Sequence, residues 1–445
     1  MTTAAPVTTA GGHAERLRGR LATREASVVV VGQGYVGLSV LCGAATAGLR
    51  ATGLDVDAGR VDALGSGDLV VPGVDPEGFA AARRTGRTTF ATDPAVVADA
   101  DVVLLCLPTP VEDHRPDLRP VEDAVRAVAP HVRPGTLVVL ESTTYPGTTE
   151  QVVRPLLEAG SGLDAAADLL LAYSPERIDP GNVRFGLRST PRVVGGLTLD
   201  ALRAASAFYG LLVDEVVVVS SCRAAELTKL HENTFRMVNI ALVNELAGLC
   251  HEQGLDVWEV VRAASSKPFG FMPFLPGPGV GGHCIPLDPT YLAWQSRRDT
   301  GRPFRLVEMA QDINAAMPRY VADRVHEALD DRGLPLRGTH VHALGITYKP
   351  DVGDLRESAA VRVLEVLDRR GARVTFHDPY VERLELGGRV LLRDDDPTTT
   401  ASADVVLLLT PHTSYDLDDV ESRARLLFDA RDALGRRGSD RVVTL

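Results

Sequence analysis

The stretch SVVVVGQGYVGLSVLCGAATAGLRATGLD, Ser27 to Asp55, restricts the fold more than any other part of the chain. An apolar strand pattern runs into Gly32-Gln33-Gly34-Tyr35-Val36-Gly37, then a helical pattern, then a second strand ending at Asp55. In that order the first glycine makes a tight turn, the second lets main chain approach a pyrophosphate, and the third permits close helix–strand packing. An acidic residue about 20 positions on meets a ribose 2′-hydroxyl. The pattern predicts a dinucleotide site on Gly32, Gly34, Tyr35, Val36, Gly37 and Asp55; the plainer alternative is glycines that only pack a turn. An aspartate repels a 2′-phosphate and so favours NAD over NADP, with Arg60 near enough in sequence to qualify the preference.

Further strand signals follow at residues 101–110, 136–144, 168–176 and 214–221, with helix-length segments between them. Short apolar strands alternating with helices predict a parallel sheet covered on both faces. After Ser221 the strands stop and the pattern is helical, with a break at Gly254 and a second helical stretch from about Pro289 to Asp331. Near His340 the α/β alternation resumes. At 445 residues the chain exceeds the ~250–300 at which one core stops growing. The expected class is α/β: a flexible N-terminal tail over 1–26, a Rossmann domain over 27–221, a central helical domain over 222–330, and a Rossmann-like domain over 331–445.

Composition excludes other classes. The formal net charge is −12, so the attraction that drives nucleic-acid binding is missing, and no apolar run reaches the ~18 residues of a membrane span. Five cysteines without a CxxC pair argue against a disulfide framework and for a reducing compartment, hence the cytoplasm. The N-terminus lacks the apolar core of a signal peptide. Cys42 falls on a helix and Cys106 in a strand, where a cysteine behaves as a small core residue.

The loop GPGVGGHCIPLDP, residues 277–289, reads as neither helix nor strand and sets Cys284 among glycines. A cysteine there is reachable, and a cation nearby would raise its thiolate fraction; the alternative is an inert buried thiol. Lys229 and Asn233 share one helix face a turn apart and can together polarise a carbonyl or steady an alkoxide; a lone pair of this kind is also common on plain surfaces. Asp288 can orient water or a lysine, or can start the helix at Pro289-Thr290-Tyr291. His283 beside Cys284 has no second ligand cluster, so no metal site is expected. A dinucleotide beside a nucleophilic thiol suggests a four-electron oxidation, alcohol to aldehyde to thioester to carboxylate.

Taken together, VVGQGYVGL, CLPTP, ESTTYPGTT, SPERIDPGN, ELTKLHENTFR, GPGVGGHCIPLDP and GITYKPDVGDLRES resemble the UDP-glucose/GDP-mannose dehydrogenase family from about Ser27 to His412. The resemblance implies two Rossmann-like domains bridged by a long helix that forms a homodimer interface. It implies Cys284 as nucleophile, Lys229 and Asn233 on the oxyanion, Asp288 with Thr143 on a water, and Glu176 in thioester hydrolysis. It also implies Pro108, Thr109, Thr143 and Arg356 as further NAD contacts. Glu176, Arg177, Lys229, Asn233, Lys267, Phe274, Gly279, Gly281, Tyr348 and Lys349 would face a UDP-sugar, with Lys349 near the phosphates or uridine and Lys267 or Arg262 reaching across the dimer.

Within the family, SPERIDPGN, KPFGFMPF and GGHCIP resemble the branch acting on UDP-N-acetylhexosamines. Arg177 serves an acetamido group or phosphate, or forms an ion pair. The segment VVPGVDPEGFAAARRTGRTTFATD is unusual for the family and leaves UDP-glucose or a dTDP-hexose as alternatives. A two-electron hydroxyacid dehydrogenase shares the glycine loop and the Lys-x-x-x-Asn pair but not Cys284 or the third domain. A silent nucleotide-sugar binder would need no thiol.

Overall fold

Runs of Val and Leu bounded by glycine, proline or aspartate become strands buried on both faces. In the computed structural model, which describes residues 12–112, 115–178, 185–282, 284–435 and 439–445, such runs form the middle of a sheet of eight strands. The strands are β1 (Ser27–Val31), β2 (Arg50–Leu54), β3 (Thr88–Ala91), β4 (Val102–Leu105), β5 (Leu137–Leu140), β6 (Leu170–Tyr173), β7 (Arg192–Gly196) and β8 (Val216–Val218), in the order β8-β7-β6-β5-β4-β1-β2-β3. Side chains alternate across a strand, so each strand feeds two cores. Val28 and Val30 join one cluster with Val102, Leu104, Leu137 and Val139, while Val29 and Val31 join another with Val103, Leu105, Val138 and Leu140.

All neighbouring pairs in this sheet are parallel except β6–β7, where Tyr173 faces Gly195 in an antiparallel register. The expected all-parallel sheet is therefore mixed. The reversal matters because it brings the start of β7 to the edge where the other strands end.

The expected tail over 1–26 is corrected where the structure describes it. Residues Gly12–Ala22 form helix α1, whose Ala14, Leu17 and Leu21 are buried in the first cluster. Those residues recur at helical spacing among Arg and Glu, the pattern of a helix with one apolar stripe. Helix α2 (Tyr35–Thr46) follows the glycine turn, and α3 (Leu199–Tyr209) packs against α1.

The chain divides into two units: one comprises residues 1–232 with 290–295, the other 233–289 with 296–445. Helix α4 (Cys222–Glu252) supplies residues to both, and α5 (Val257–Ser265), α6 (Cys284–Thr300) and α7 (Arg305–Asp330) follow. Two expectations are corrected here. The loop of 277–289 becomes helical from Cys284, with Pro289 inside α6, and the stretch expected from Pro289 to Asp331 is broken after Thr300. A helix tolerates Pro286 in its first turn because the missing N–H has no partner there anyway.

In the second unit β9 (His340–Leu344), helix α8 (Ala359–Arg369), β10 (Arg373–His377), the hairpin β11 (Arg383–Leu386) and β12 (Arg389–Leu392), β13 (Val405–Leu408), β14 (Leu427–Asp429) and β15 (Val442–Thr444) follow in turn. The sheet order is β10-β9-β13-β14-β15, all parallel. Val243 and Ala247 of α4, Trp258 of α5 and Val321 and Val325 of α7 share a core with Val341, Val363 and Leu407. The helical middle thus packs with the C-terminal sheet. Among the described residues no helix is long and apolar enough to cross a membrane.

Candidate active site

The glycine loop follows β1. Gly32 has φ +89°, and a Cβ on it would collide with the carbonyl oxygen of Cys106; one on Gly37 would collide with the carbonyl of Gly32. A Cβ on Gly34 would meet nothing, so its face is open. Gly34 is also the N-cap of α2, with no side-chain cap bond, which leaves first-turn N–H groups for an anion. Asp55 is buried at the end of β2; its Oδ2 accepts from the Gln33 N–H at 2.7 Å and from Arg60 at 3.0 Å. Arg60 also lies 3.5 Å from Asp57, so two carboxylates hold its charge. This open cradle, helix terminus and strand-end carboxylate fit NAD. Tyr35 and Val36 are half-buried on α2's first turn, and Pro108 is exposed. Thr109 is buried, donates to the Thr143 carbonyl at 2.8 Å, and accepts at its own carbonyl from Tyr291.

Beside the loop lies a buried charge cluster that the sequence did not announce. Extending the β6–β7 register from Tyr173 and Gly195 brings Glu176 opposite Arg192. Arg192 is 2% exposed, donates to Glu176 at 2.6 Å and to Ser174 at 2.9 Å, and pairs with Glu141, the residue after β5. Its guanidinium also covers the Tyr209 ring at 4.9 Å, while the Tyr209 hydroxyl donates to Glu141 at 2.6 Å. Burial pushes the Glu141 carboxyl above the usual range, and Arg192 pulls it back. Glu176 further accepts from the backbone N–H groups of Arg177 (2.6 Å) and Ile178 (2.5 Å). A carboxylate has about four lone-pair sites, and three donors already engage this one, fixing its direction. The only hint in the sequence was a charge at a strand end in LES and at a strand start in PRVVGG.

Arg177 takes the ion-pair alternative: it meets Glu232 at 2.8 Å and the Pro191 carbonyl at 2.7 Å. The start of α4 is anchored by Glu226, which accepts from the N–H groups of Gly147 (2.5 Å) and Thr149 (2.9 Å). Lys229, one turn later, is half-buried. Asn233, a further turn along α4, is buried and donates to buried Asp288 at 2.5 Å. Asp288 sits inside α6, not at its start, so its carboxylate orients the Asn233 amide rather than capping a helix.

The glycines before Cys284 have a packing reason. A Cβ on Gly281 would stand 2.9 Å from the Glu357 carbonyl, one on Gly282 would press on the Tyr348 ring, and Gly279 has φ +127° beside the Asn314 carbonyl. The Gly282 N–H donates to the Arg356 carbonyl at 3.0 Å. These glycines let the loop lie against the turn carrying Tyr348 and Lys349. His283 and the side chain of Cys284 lie outside the described residues. Cys42, Cys106, Cys222 and Cys250 are all buried, and burial pushes the Cys42 thiol up to about 12 and those of Cys106 and Cys222 well up.

Tyr348 and Lys349 sit half-buried in a turn fixed by two residues that sequence reasoning missed. Asp378 accepts from the Ile346 N–H at 2.7 Å and pairs with His412 at 3.0 Å, and His412 Nδ1 accepts from the Asp351 N–H at 2.9 Å. Arg356 is exposed in this same unit, with its guanidinium on Asp354 at 2.7 Å. Lys267 is exposed over Phe269 at 5.0 Å, and Phe274 packs edge-on to Phe235 at 5.7 Å.

Comparison with known proteins assigns this arrangement. Three domains of the UDP-glucose/GDP-mannose dehydrogenase family match: the NAD binding domain over residues 26–213, the central domain over 223–316 and the UDP binding domain over 342–436. A UDP-N-acetyl-D-mannosamine dehydrogenase of Yersinia pestis is 38% identical over 405 residues, 87% of this chain and 94% of that protein. An NDP-N-acetyl-D-galactosaminuronic acid dehydrogenase of Ralstonia nicotianae is 35% identical over 418 residues, 91% of this chain and 95% of the relative. The solved structure of a UDP-D-ManNAc dehydrogenase from Pyrococcus horikoshii superposes with TM-score 0.84 at 30% identity, covering 94% of this chain and 98% of its own. The chain belongs to the UDP-glucose/GDP-mannose dehydrogenase family and is an NAD-dependent nucleotide-sugar dehydrogenase.

Proposed function

We propose that the chain oxidises the C6 hydroxymethyl group of a UDP-N-acetylhexosamine to the carboxylate. The observation carrying this reading is the similarity to a UDP-N-acetyl-D-mannosamine dehydrogenase over 87% of the chain. The glycine loop with Asp55, Thr109 and Thr143, and with Pro108, Arg60 and Arg356 as further contacts, would hold NAD, which would supply the hydride acceptor for both oxidations. Lys229 and Asn233 steady the alkoxide that forms as the alcohol loses its proton, since donors aimed at developing charge in a dry site act most strongly there. The Cys284 thiolate then adds to the aldehyde carbon, and the carbonyl oxygen takes a proton to give a thiohemiacetal. Loss of the second hydride and of the hydroxyl proton leaves a thioester on sulfur. A water directed by Asp288 and Thr143 adds, the carbon–sulfur bond breaks, and the thiol returns with a carboxylate released.

Glu176 acts in that hydrolysis, and Arg192 and Glu141 act through it as positioning residues. Tyr348 and Lys349 take the uridine diphosphate, and Phe274, Gly279, Gly281 and Lys267 line the sugar side. The enzyme works as a homodimer through α4, a reading supported by exposed Phe235 (42%), Leu242 (63%) and Leu249 (50%) at seven-residue intervals on that helix. A reducing, cytoplasmic setting is supported by four buried, unpaired cysteines, and the charge of −12 gives nucleic acid no purchase.

Three outcomes test this reading. Assayed on UDP-N-acetylmannosamine, UDP-N-acetylglucosamine, UDP-glucose and dTDP-glucose, the enzyme should form two NADH per N-acetylhexosamine consumed and prefer that pair; one NADH with an aldehyde product, or preference for UDP-glucose, contradicts it. Arg192→Met leaves two buried carboxylates without their cation, so denaturant unfolding should show a loss of about 3–5 kcal/mol, and an unchanged midpoint would refute the buried pair. Light scattering should give twice the 47.5 kDa chain mass, with Leu242→Arg monomeric; a monomeric wild type rules the dimer out.

A further inference from the structure

A cavity of about 820 Å3 opens at the N-terminal edge of the first unit's sheet, where Ser27 begins β1. The glycine loop lies at the other end of that strand, about 17 Å away at the usual rise per residue. Ligands of doubly wound sheets bind at the carboxyl edge, so nothing in the dehydrogenase chemistry accounts for this cavity.

Its walls carry Arg16 and Arg20 from α1, Arg50 and Arg87 from the starts of β2 and β3, and Arg133, against only Asp99 and Asp101. Arg20 and Arg133 both lie on Asp101, at 3.0 and 3.6 Å. Among the described residues the other three have no carboxylate partner. Arg50 reaches only the Glu25 carbonyl at 3.4 Å, Arg16 only His13 Nδ1 at 3.4 Å, and the Arg87 guanidinium has no partner among the described residues.

Register makes this arrangement specific. Ala51 pairs with Thr88, so Arg50 and Arg87 stand side by side one residue earlier, and two residues further along the same face the Thr52 and Thr89 hydroxyls are 2.8 Å apart. Like charges directly opposite each other on neighbouring strands are unfavourable without a counter-charge. General basicity does not explain them in a chain of net charge −12. Helix α1, which supplies two of the arginines, also lies before residue 26, where the match to the family's NAD binding domain begins.

We propose that this cavity is a second anion site, separate from the cofactor loop, that takes a small molecule bearing a chain of phosphates. Guanidinium forks match phosphate oxygens in pairs, and of the two bonded threonine hydroxyls the one that accepts from the other can donate to the ligand. The phosphate chain is the recognised chemistry, whether inorganic or attached to a nucleoside.

Calorimetry on the full chain, saturated with NAD and UDP so that its other phosphate-binding regions are filled, tests this with tripolyphosphate in one arm and ATP in the other. The expected result is one site per chain, weakening as salt rises, with roughly tenfold or greater loss in Arg50→Glu/Arg87→Glu and unchanged NAD affinity. Equal affinity in the two arms identifies the phosphates alone as the determinant; tighter ATP adds the nucleoside. If the double reversal does not fold, Arg50→Gln/Arg87→Gln removes the charges more gently. No saturable binding of either probe, or binding that persists in the glutamine variant, overturns the proposal.

Discussion

At Gly32 and Gly345 the chain leaves the first strand of each sheet with φ of +89° and +76°, and at both a Cβ would strike a carbonyl oxygen just beyond a neighbouring strand, that of Cys106 or Thr410. The turn is then tied by an aspartate ending the second strand: Asp55 accepts from Gln33 N–H, and Asp378 from Ile346 N–H, each at 2.7 Å. Only glycine satisfies both the positive φ and the close approach. Without it the turn could not form, and neither the helix terminus after β1 nor the Tyr348–Lys349 turn after β9 would be presented at the carboxyl edge of its sheet.

The two copies of this device diverge in what the aspartate does next. Asp55 retains 7% exposure and holds Arg60, a side chain that is itself partly solvent-exposed, so a ribose can compete for it. Asp378 is fully buried and held by His412, which also accepts from the Asp351 N–H. One copy thus keeps its carboxylate on a partly exposed arginine, while the other uses the same carboxylate to stiffen the turn bearing Lys349.

The dinucleotide loop, the order of the α/β segments and the identity of the family were legible because each depends on local spacing. What was not legible depends on non-local partners. Residues 12–22 carried a helical stripe, yet their short length and polar flanks hid it until Leu17 and Leu21 found a core. The reversal of β7 has no local signature, and with it went the pairing of Arg192 with Glu176 and Glu141. That Gly281 and Gly282 pack against Tyr348 and Glu357 also depends on partners more than 60 residues away, which local spacing does not show. Helix from Cys284 onward was hidden by two prolines that a first turn and a tolerant interior accommodate.

In the proposed reaction a thiol holds the substrate between two oxidations, and the carboxylate of Glu176, held by Arg192 at 2.6 Å, acts in its release. Rapid quenching during turnover, followed by peptide mass spectrometry, examines that claim most directly. In Glu176→Gln the peptide containing Cys284 should accumulate the mass of a thioester-linked nucleotide uronate, which the wild type carries only transiently. An unmodified Cys284 peptide throughout turnover, in both proteins, would contradict it.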